Sequence, residues 1–250
     1  TCERGIEMRD YAVELEKRIE FIRNLLKESG AKGIVFGNSG GKDSALTGIL
    51  CKKACDNTLS LIMPCHAKRN FDIDLKDGLE VAEKFNIETK VIDVTPIREA
   101  TMKAVSADFE LTDMAVANIA PRLRMTVLYA VAASRNMLVA GTDNKSEMYM
   151  GYFTKWGDGG YDFNPIADLT VSEVYEFLRY LDAPEAVIKK APSAALFDDQ
   201  TDEQEMGITY KKIDEYLMTG KGDKEDIDLI ERYHKVSEHK RRMPVLYKPE

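Results

Sequence analysis

Apolar residues recur along the first thirty positions at helical spacing. Ala12, Leu15, Ile19, Ile22, Leu25 and Leu26 share one face of a helix predicted over about 10–29. The pattern then changes to a short unbroken run, Gly33-Ile34-Val35-Phe36, which predicts a first strand near 33–37. Helical spacing returns at Ala45, Leu46, Ile49 and Leu50, and a second strand reads through residues 58–63 until Pro64 stops it. A helix capped near Asp72 runs to about Phe85, with Leu75, Leu79 and Ala82 on one face. A third strand covers 88–94, and Thr95 before Pro96 opens another helix. A long helical stretch covers about 113–136, where Pro121 marks a kink or restart, and Met137-Leu138-Val139-Ala140 forms a fourth strand. After Pro165 the pattern is helical for most of the remainder. This alternation predicts an α/β fold, a parallel sheet with helices on both faces. Ligands of such sheets sit beyond the strand C-termini, where both Ser39 and Thr142 fall.

One stretch breaks the pattern. Residues 193–206 crowd Asp198, Asp199, Asp202, Glu203 and Glu205 with little apolar periodicity. The composition predicts a solvated loop, with a lid that orders over a bound ligand as the functional alternative. No internal repeat or low-complexity tract is present, and 250 residues suit a single domain over 1–250. No apolar run approaches the roughly 20 residues that span a bilayer, so no membrane partner is expected. The net charge of −8 argues against a nucleic-acid surface. Cys2, Cys51, Cys55 and Cys65 lack metal-ligand spacing, which points to reduced thiols in a cytoplasmic protein.

The chemistry begins at Gly37-Asn38-Ser39-Gly40-Gly41-Lys42-Asp43-Ser44, between the first strand and its helix. A strand turning into a helix leaves backbone N–H groups free at the helix start, where the dipole also favours anions. Glycines let the main chain approach a phosphate, and Ser39 and Ser44 add hydroxyls. The plain alternative is a Gly-rich turn at a tight junction. A Walker A loop needs four residues between its first Gly and the Gly-Lys pair, whereas three separate Gly37 from Gly41. Asp43 beside phosphates would repel them unless a cation intervened, so it reads as a Mg²⁺ ligand. The pattern S-G-G-x-D-S resembles the PP-loop of the ATP pyrophosphatases, which cleave ATP between the α and β phosphates.

The second half narrows that resemblance. Gly141-Thr142-Asp143-Asn144-Lys145-Ser146-Glu147 and Gly151-Tyr152-Phe153-Thr154-Lys155-Trp156-Gly157-Asp158-Gly159-Gly160-Tyr161-Asp162 resemble segments of the ammonia-dependent NAD⁺ synthetases. So do Asn118 to Met125 upstream and Glu238-His239-Lys240-Arg241 near the end. The resemblance runs from about residue 8 to 245, in the family's motif order. It implies an adenine nucleotide alpha hydrolase-like, Rossmann-like sheet. It also implies a ligase that amidates nicotinic acid adenine dinucleotide (deamido-NAD⁺) with ammonia and ATP, releasing AMP and pyrophosphate. By resemblance, Gly37, Asn38, Ser39, Gly40, Gly41, Lys42, Asp43 and Ser44 bind the ATP phosphates, Thr142 and Ser193 contact the nucleotide, and Asp43 and Glu147 hold Mg²⁺. Arg122, Lys155, Asp162, His239 and Lys240 match residues that bind the deamido dinucleotide. Asp158 is the candidate acceptor for the ammonium proton, with a turn residue as the equally good alternative. Lys42 reads either as a phosphate contact or, preferably, as a surface lysine, because the position varies in the motif.

Two positions depart from the family pattern. Val171 stands where a phosphate-contacting Lys is common, so that contact is lost or passes to Lys189 or Lys190. Ser193 replaces a Thr but keeps the hydroxyl. The family also implies a homodimer, for which Met114, Val116, Ile119 and Leu123 are candidate contacts and Arg122 could serve the neighbouring pocket. Only about thirty residues precede the first strand, too few for an amidase domain, so free ammonia is the expected donor. The competing readings are another PP-loop enzyme (a GMP synthetase-type or tRNA-modifying adenylase) and a non-catalytic adenine-nucleotide-binding protein.

Overall fold

Asp10 opens the first helix by accepting hydrogen bonds from the Ala12 and Val13 amides, and Gly30, at φ 68°, closes it. The computed structural model describes residues 9–190 and 201–248. In chain order it contains α1 (Tyr11–Ser29), β1 (Gly33–Gly37), α2 (Lys42–Ala54) and β2 (Thr58–Ile62). A π-helical turn (Asn70–Asp74) then runs into α3 (Leu75–Lys84), followed by β3 (Glu88–Val91) and α4 (Thr95–Val105). Next come α5 (Asp113–Ala117), α6 (Ile119–Arg135), β4 (Met137–Ala140) and α7 (Lys145–Met150). The remainder is α8 (Val171–Tyr180), α9 (Glu185–Lys189), α10 (Asp202–Met206), α11 (Tyr210–Thr219), α12 (Lys224–Val236) and α13 (Glu238–Arg241).

The four strands are parallel and ordered β3-β2-β1-β4. Alternate side chains of β1 enter opposite layers. Ile34 and Phe36 pack with α1, α2, α8 and Ile166, whereas Val35 packs with β2, β4 and the Leu128–Ala132 side of α6. Helices therefore cover both faces, as the sequence predicts. A third cluster joins Met150, Val171, Met206, Ile213 and Ile230, a helical annex built from α7, α8, α10, α11 and α12. The chain leaves β1 towards β2 and later returns to β4 on the other side. The loops after β1 and β4 therefore open into one crevice.

Element boundaries differ from the sequence expectation for physical reasons. The second and third strands are expected to reach residues 63 and 94, but regular strand ends at Ile62 and Val91. Ile92 still donates to the Ile62 carbonyl and Val94 to that of Pro64, but Pro64 has no N–H to return. The expected helix over 113–136 is two helices that meet at Asn118. Pro121 falls in the first turn of α6, where its missing N–H costs no helix bond. Of the acidic stretch, residues 193–200 lie outside the described residues. The rest is not a solvated loop. Thr201 and Gln204 form a capping box, and Asp202 and Met206 are buried on the annex. Among the described residues no helix is long and apolar enough to cross a membrane.

Helix α2 lies close against β1 because residue 48 has no side chain. A Cβ on Gly48 would meet Phe36 Cζ at 2.4 Å, and Phe36 is fully buried. Alanine gains about 1 kcal/mol of helix propensity over glycine, but overpacking a dense core costs about 1–3 kcal/mol. Gly48→Ala should therefore lower unfolding stability by up to about 2 kcal/mol, read as an earlier denaturant midpoint at unchanged slope.

Candidate active site

The loop after β1 is braced from behind. Asn38 is buried; its Nδ2 donates to Ser60 Oγ and the Gly78 carbonyl, each at 3.1 Å, and its Oδ1 accepts from the Gly40 amide at 3.0 Å. Gly40 adopts φ 69°, and a Cβ there would lie 2.2 Å from the Asp74 carbonyl oxygen. Lys190 Nζ pins the same corner, donating to the Gly40 carbonyl at 3.1 Å and to Asp74 and Asp77 at 2.8 Å each. The hydroxyls of Ser39 and Ser44 stand 3.1 Å apart. Gly41 is the N-cap of α2, with no side-chain capping bond, so the helix start is presented to ligand.

Across the crevice, Asn144 ties the two loops together. Its side chain caps α7 through the Glu147 amide at 2.9 Å, Glu147 Oε2 accepts from the Asn144 amide at 3.1 Å, and Asn144 Nδ2 donates to Asp43 Oδ1 at 3.0 Å. Asp43 and Glu147 thus face the same space. Lys42 is not on the surface, contrary to the preferred sequence reading. It is 5 % exposed, with Nζ 2.6 Å from Asp43 Oδ2 and 3.7 Å from Glu147 Oε1. Burial opposes the charge on Lys42, but Asp43 and Glu147 outweigh it and hold the ammonium above its ordinary pKa. Burial and Asp43 push the Glu147 carboxyl up to about 8 despite Lys42.

These groups line a cavity of about 390 Å³, together with Thr142, Asp143, Asp158, Arg124 and Lys240. Asp158 opens onto the cavity, and its Oδ1 accepts from the Thr154 amide at 2.9 Å. Burial raises its carboxyl, opposed by that bond and by Lys240 and Arg124. Lys240 Nζ donates to the carbonyls of Gly151 at 2.7 Å and Phe153 at 2.8 Å. Sequence reasoning missed Asp143. It is buried, and its Oδ2 lacks a hydrogen-bond partner among the described residues. Burial, Asp158, Glu147 and Asp43 drive its carboxyl well above the usual range. Asn144 was missed too, although Asn-x-x-Glu before a helix is a capping signature.

Other expected residues lie apart from the cavity. Arg122 Nε donates to the Lys155 carbonyl at 3.3 Å, and Lys155 Nζ to the His239 carbonyl at 2.7 Å. These three therefore form a chain of contacts of their own, with Arg122 and His239 exposed. Asp162 holds β4, accepting from the Val139 amide at 2.8 Å and from Tyr129 OH at 2.9 Å. Val171 packs in the annex core. Of its two suggested substitutes, Lys189 pairs with Glu185 in solvent, and Lys190 reaches the β1 loop. Ser193 lies outside the described residues.

The NAD synthase family model matches residues 14–244. The chain belongs to the NAD synthase family. It is 46 % identical over 232 residues to the NH(3)-dependent NAD(+) synthetase of Carboxydothermus hydrogenoformans, covering 92 % of this chain and 94 % of that protein. Among solved structures it resembles NMN synthetase from Francisella tularensis, with TM-score 0.90, 37 % identity, and 96 % and 99 % of the two chains covered. It also resembles the NH3-dependent NAD synthetase of Campylobacter jejuni, solved with a nitrate ion, with TM-score 0.79, 34 % identity, and 96 % and 100 % coverage. The family's α/β fold, ligase class and use of ATP follow.

Alanine at residue 40 would have to hold a left-handed backbone and displace the Asp74 carbonyl, a strain of about 1–3 kcal/mol. Gly40→Ala should weaken ATP binding by roughly tenfold or more, measured calorimetrically, with the far-UV spectrum retained.

Proposed function

We infer that this protein is an ammonia-dependent NAD⁺ synthetase acting on deamido-NAD⁺. One observation carries the reading: Asp43 of the PP-loop and Glu147 of α7 line one cavity, which Asp158 also lines. A carboxylate resists attack by an amine because its leaving group is poor. The nicotinate carboxylate attacks the α-phosphorus of ATP, and the bond to the pyrophosphate oxygen breaks. Ammonia then attacks the acyl carbon, AMP leaves with the bonding electron pair, and the surplus proton passes to a base.

The chain's own groups divide these tasks. The α2 N-terminus, with Ser39 and Ser44, receives the β and γ phosphates. Asn38 braces the loop rather than reaching the ligand, and Thr142 lines the nucleotide side. Asp43 and Glu147 suit Mg²⁺. Two carboxylates suffice for an ion that completes its shell with water and phosphate oxygens. When bound, Mg²⁺ neutralises charge growing on the departing pyrophosphate. Lys190 supports the loop in place of the Lys absent at Val171. Asp158, which lines the same cavity, orients ammonium and takes its proton.

Arg122, Lys155, His239, Lys240 and Asp162 bind the dinucleotide acid. The exposed Arg122–Lys155–His239 set completes the pocket of a second copy in a homodimer. Support comes from α5, which has no buried residue and leaves Met114 54 % exposed. Free ammonia as donor is supported by the relative's name and its near-complete overlap with this chain. The unpaired Cys51, Cys55 and Cys65 fit the cytoplasm. The likeness to an NMN synthetase makes the corresponding mononucleotide acid the competing substrate.

The test is NAD⁺ formation from ATP, ammonia and deamido-NAD⁺, run beside the mononucleotide acid and with a chelator. Turnover is expected with the dinucleotide and loss of turnover on chelation; pyrophosphate release without either acid would refute the reading. Asp43→Asn and Glu147→Gln should each lower adenylyl transfer by at least roughly a hundredfold. Asp158→Asn should cut turnover by roughly a hundredfold or more while leaving ATP affinity within twofold or so; unchanged turnover removes its role.

A further inference from the structure

Lys42 is the first residue of α2, yet its ammonium turns back between the two carboxylates assigned to the metal. Its Nζ lies 2.6 Å from Asp43 and 3.7 Å from Glu147. The rings of Tyr175 and Tyr210 flank it at 6.0 and 5.8 Å. This is a buried cluster of one ammonium and two carboxyl groups, where solvent screens little. A divalent cation approaching the same carboxylates meets a full positive charge already hydrogen-bonded to one of them. A phosphate chain over the helix start changes the balance, because it offers oxygens to the ion and to the ammonium alike.

We propose that Lys42 is the built-in counter-ion of the divalent site and makes tight metal binding conditional on the nucleotide. Before ATP arrives, the ammonium holds Asp43 and Glu147 and keeps free divalent ions weakly bound. With the triphosphate in place, the lysine pairs with phosphate and frees the carboxylates for the ion. The order of loading is thereby nucleotide first, or nucleotide and metal together. A neutral residue at position 42 would leave the carboxylates open to free divalent ions. The inference rests on Asp43 and Glu147 being the metal ligands, and the experiment separates the two ideas.

Mn²⁺ binding to the nucleotide-free protein is measured by the electron paramagnetic resonance signal of free Mn²⁺. The proteins are wild type, Lys42→Gln, Lys42→Arg, Glu147→Gln and the Lys42→Gln/Glu147→Gln double variant. Lys42→Gln should bind Mn²⁺ at least about tenfold more tightly than wild type, an ordinary coupling between neighbouring sites. Lys42→Arg should stay weak, and the double variant should lose the gain. With a non-hydrolysable ATP analogue, the gap between wild type and Lys42→Gln should close. Equal nucleotide-free affinity in wild type and Lys42→Gln, weakened in both by Glu147→Gln, would overturn the counter-ion role while keeping the ligands. Binding that Glu147→Gln leaves unchanged in every background would overturn the ligand assignment as well. As a check on stability, Mn²⁺ should raise the melting temperature of Lys42→Gln more than that of wild type. Equal shifts count against the proposal.

Discussion

Like charges converge where the sheet reverses its direction of growth. Asp43, Asp143, Glu147 and Asp158 line one cavity in a protein whose net charge is already −8, and the ligands of this family are themselves polyanions. Such a site folds only if each carboxylate is neutralised, bonded or protonated. Asn144 and Lys42 hold Asp43, and the α7 cap holds Glu147. Burial and the neighbouring carboxylates drive the Asp143 carboxyl above its usual range. The cavity thus stores acceptor groups that cations and phosphates can compete for.

The fold was largely legible because it rests on short-range pattern. Alternating apolar strands and helical stripes give the β-α order, and the Gly-Asn-Ser-Gly-Gly run marks where strand becomes helix. What escaped the pattern depends on distant partners. At the break, the Asn118 side chain accepts from the Thr154 hydroxyl, and α10 exists because Asp202 and Met206 have a helical annex to bury against. Lys42 shows the limit most directly. A lysine in a polar motif reads as a surface residue, because the Glu147 that helps draw it inward lies more than a hundred positions away. Asp143 sat inside a motif already singled out, but its lone buried oxygen is a property of packing.

Two groups of expected ligand residues separate in space. The residues of the loops after β1 and β4 meet in the crevice. Arg122, Lys155 and His239 instead hold one another by side chain to backbone carbonyl, which leaves the Arg122 and His239 side chains outward. Lys240 stands between them: it is adjacent to His239 in sequence, but its ammonium turns into the cavity. That pair forms the covalent bridge between the surface cluster and the interior pocket.

The two margins of the sheet are protected by different means. On one side, Asp162 and Phe163 run beside β4, taking the Val139 amide and bonding to the Val139 carbonyl. On the other, β3 is only four residues long and carries Glu88 and Lys90. Neither margin offers a long, uncharged row of free amides and carbonyls, the feature through which strands recruit strangers and seed aggregates. The sheet margins therefore give a strand of another chain little to pair with, and crowding should not drive this protein towards fibrillar stacking.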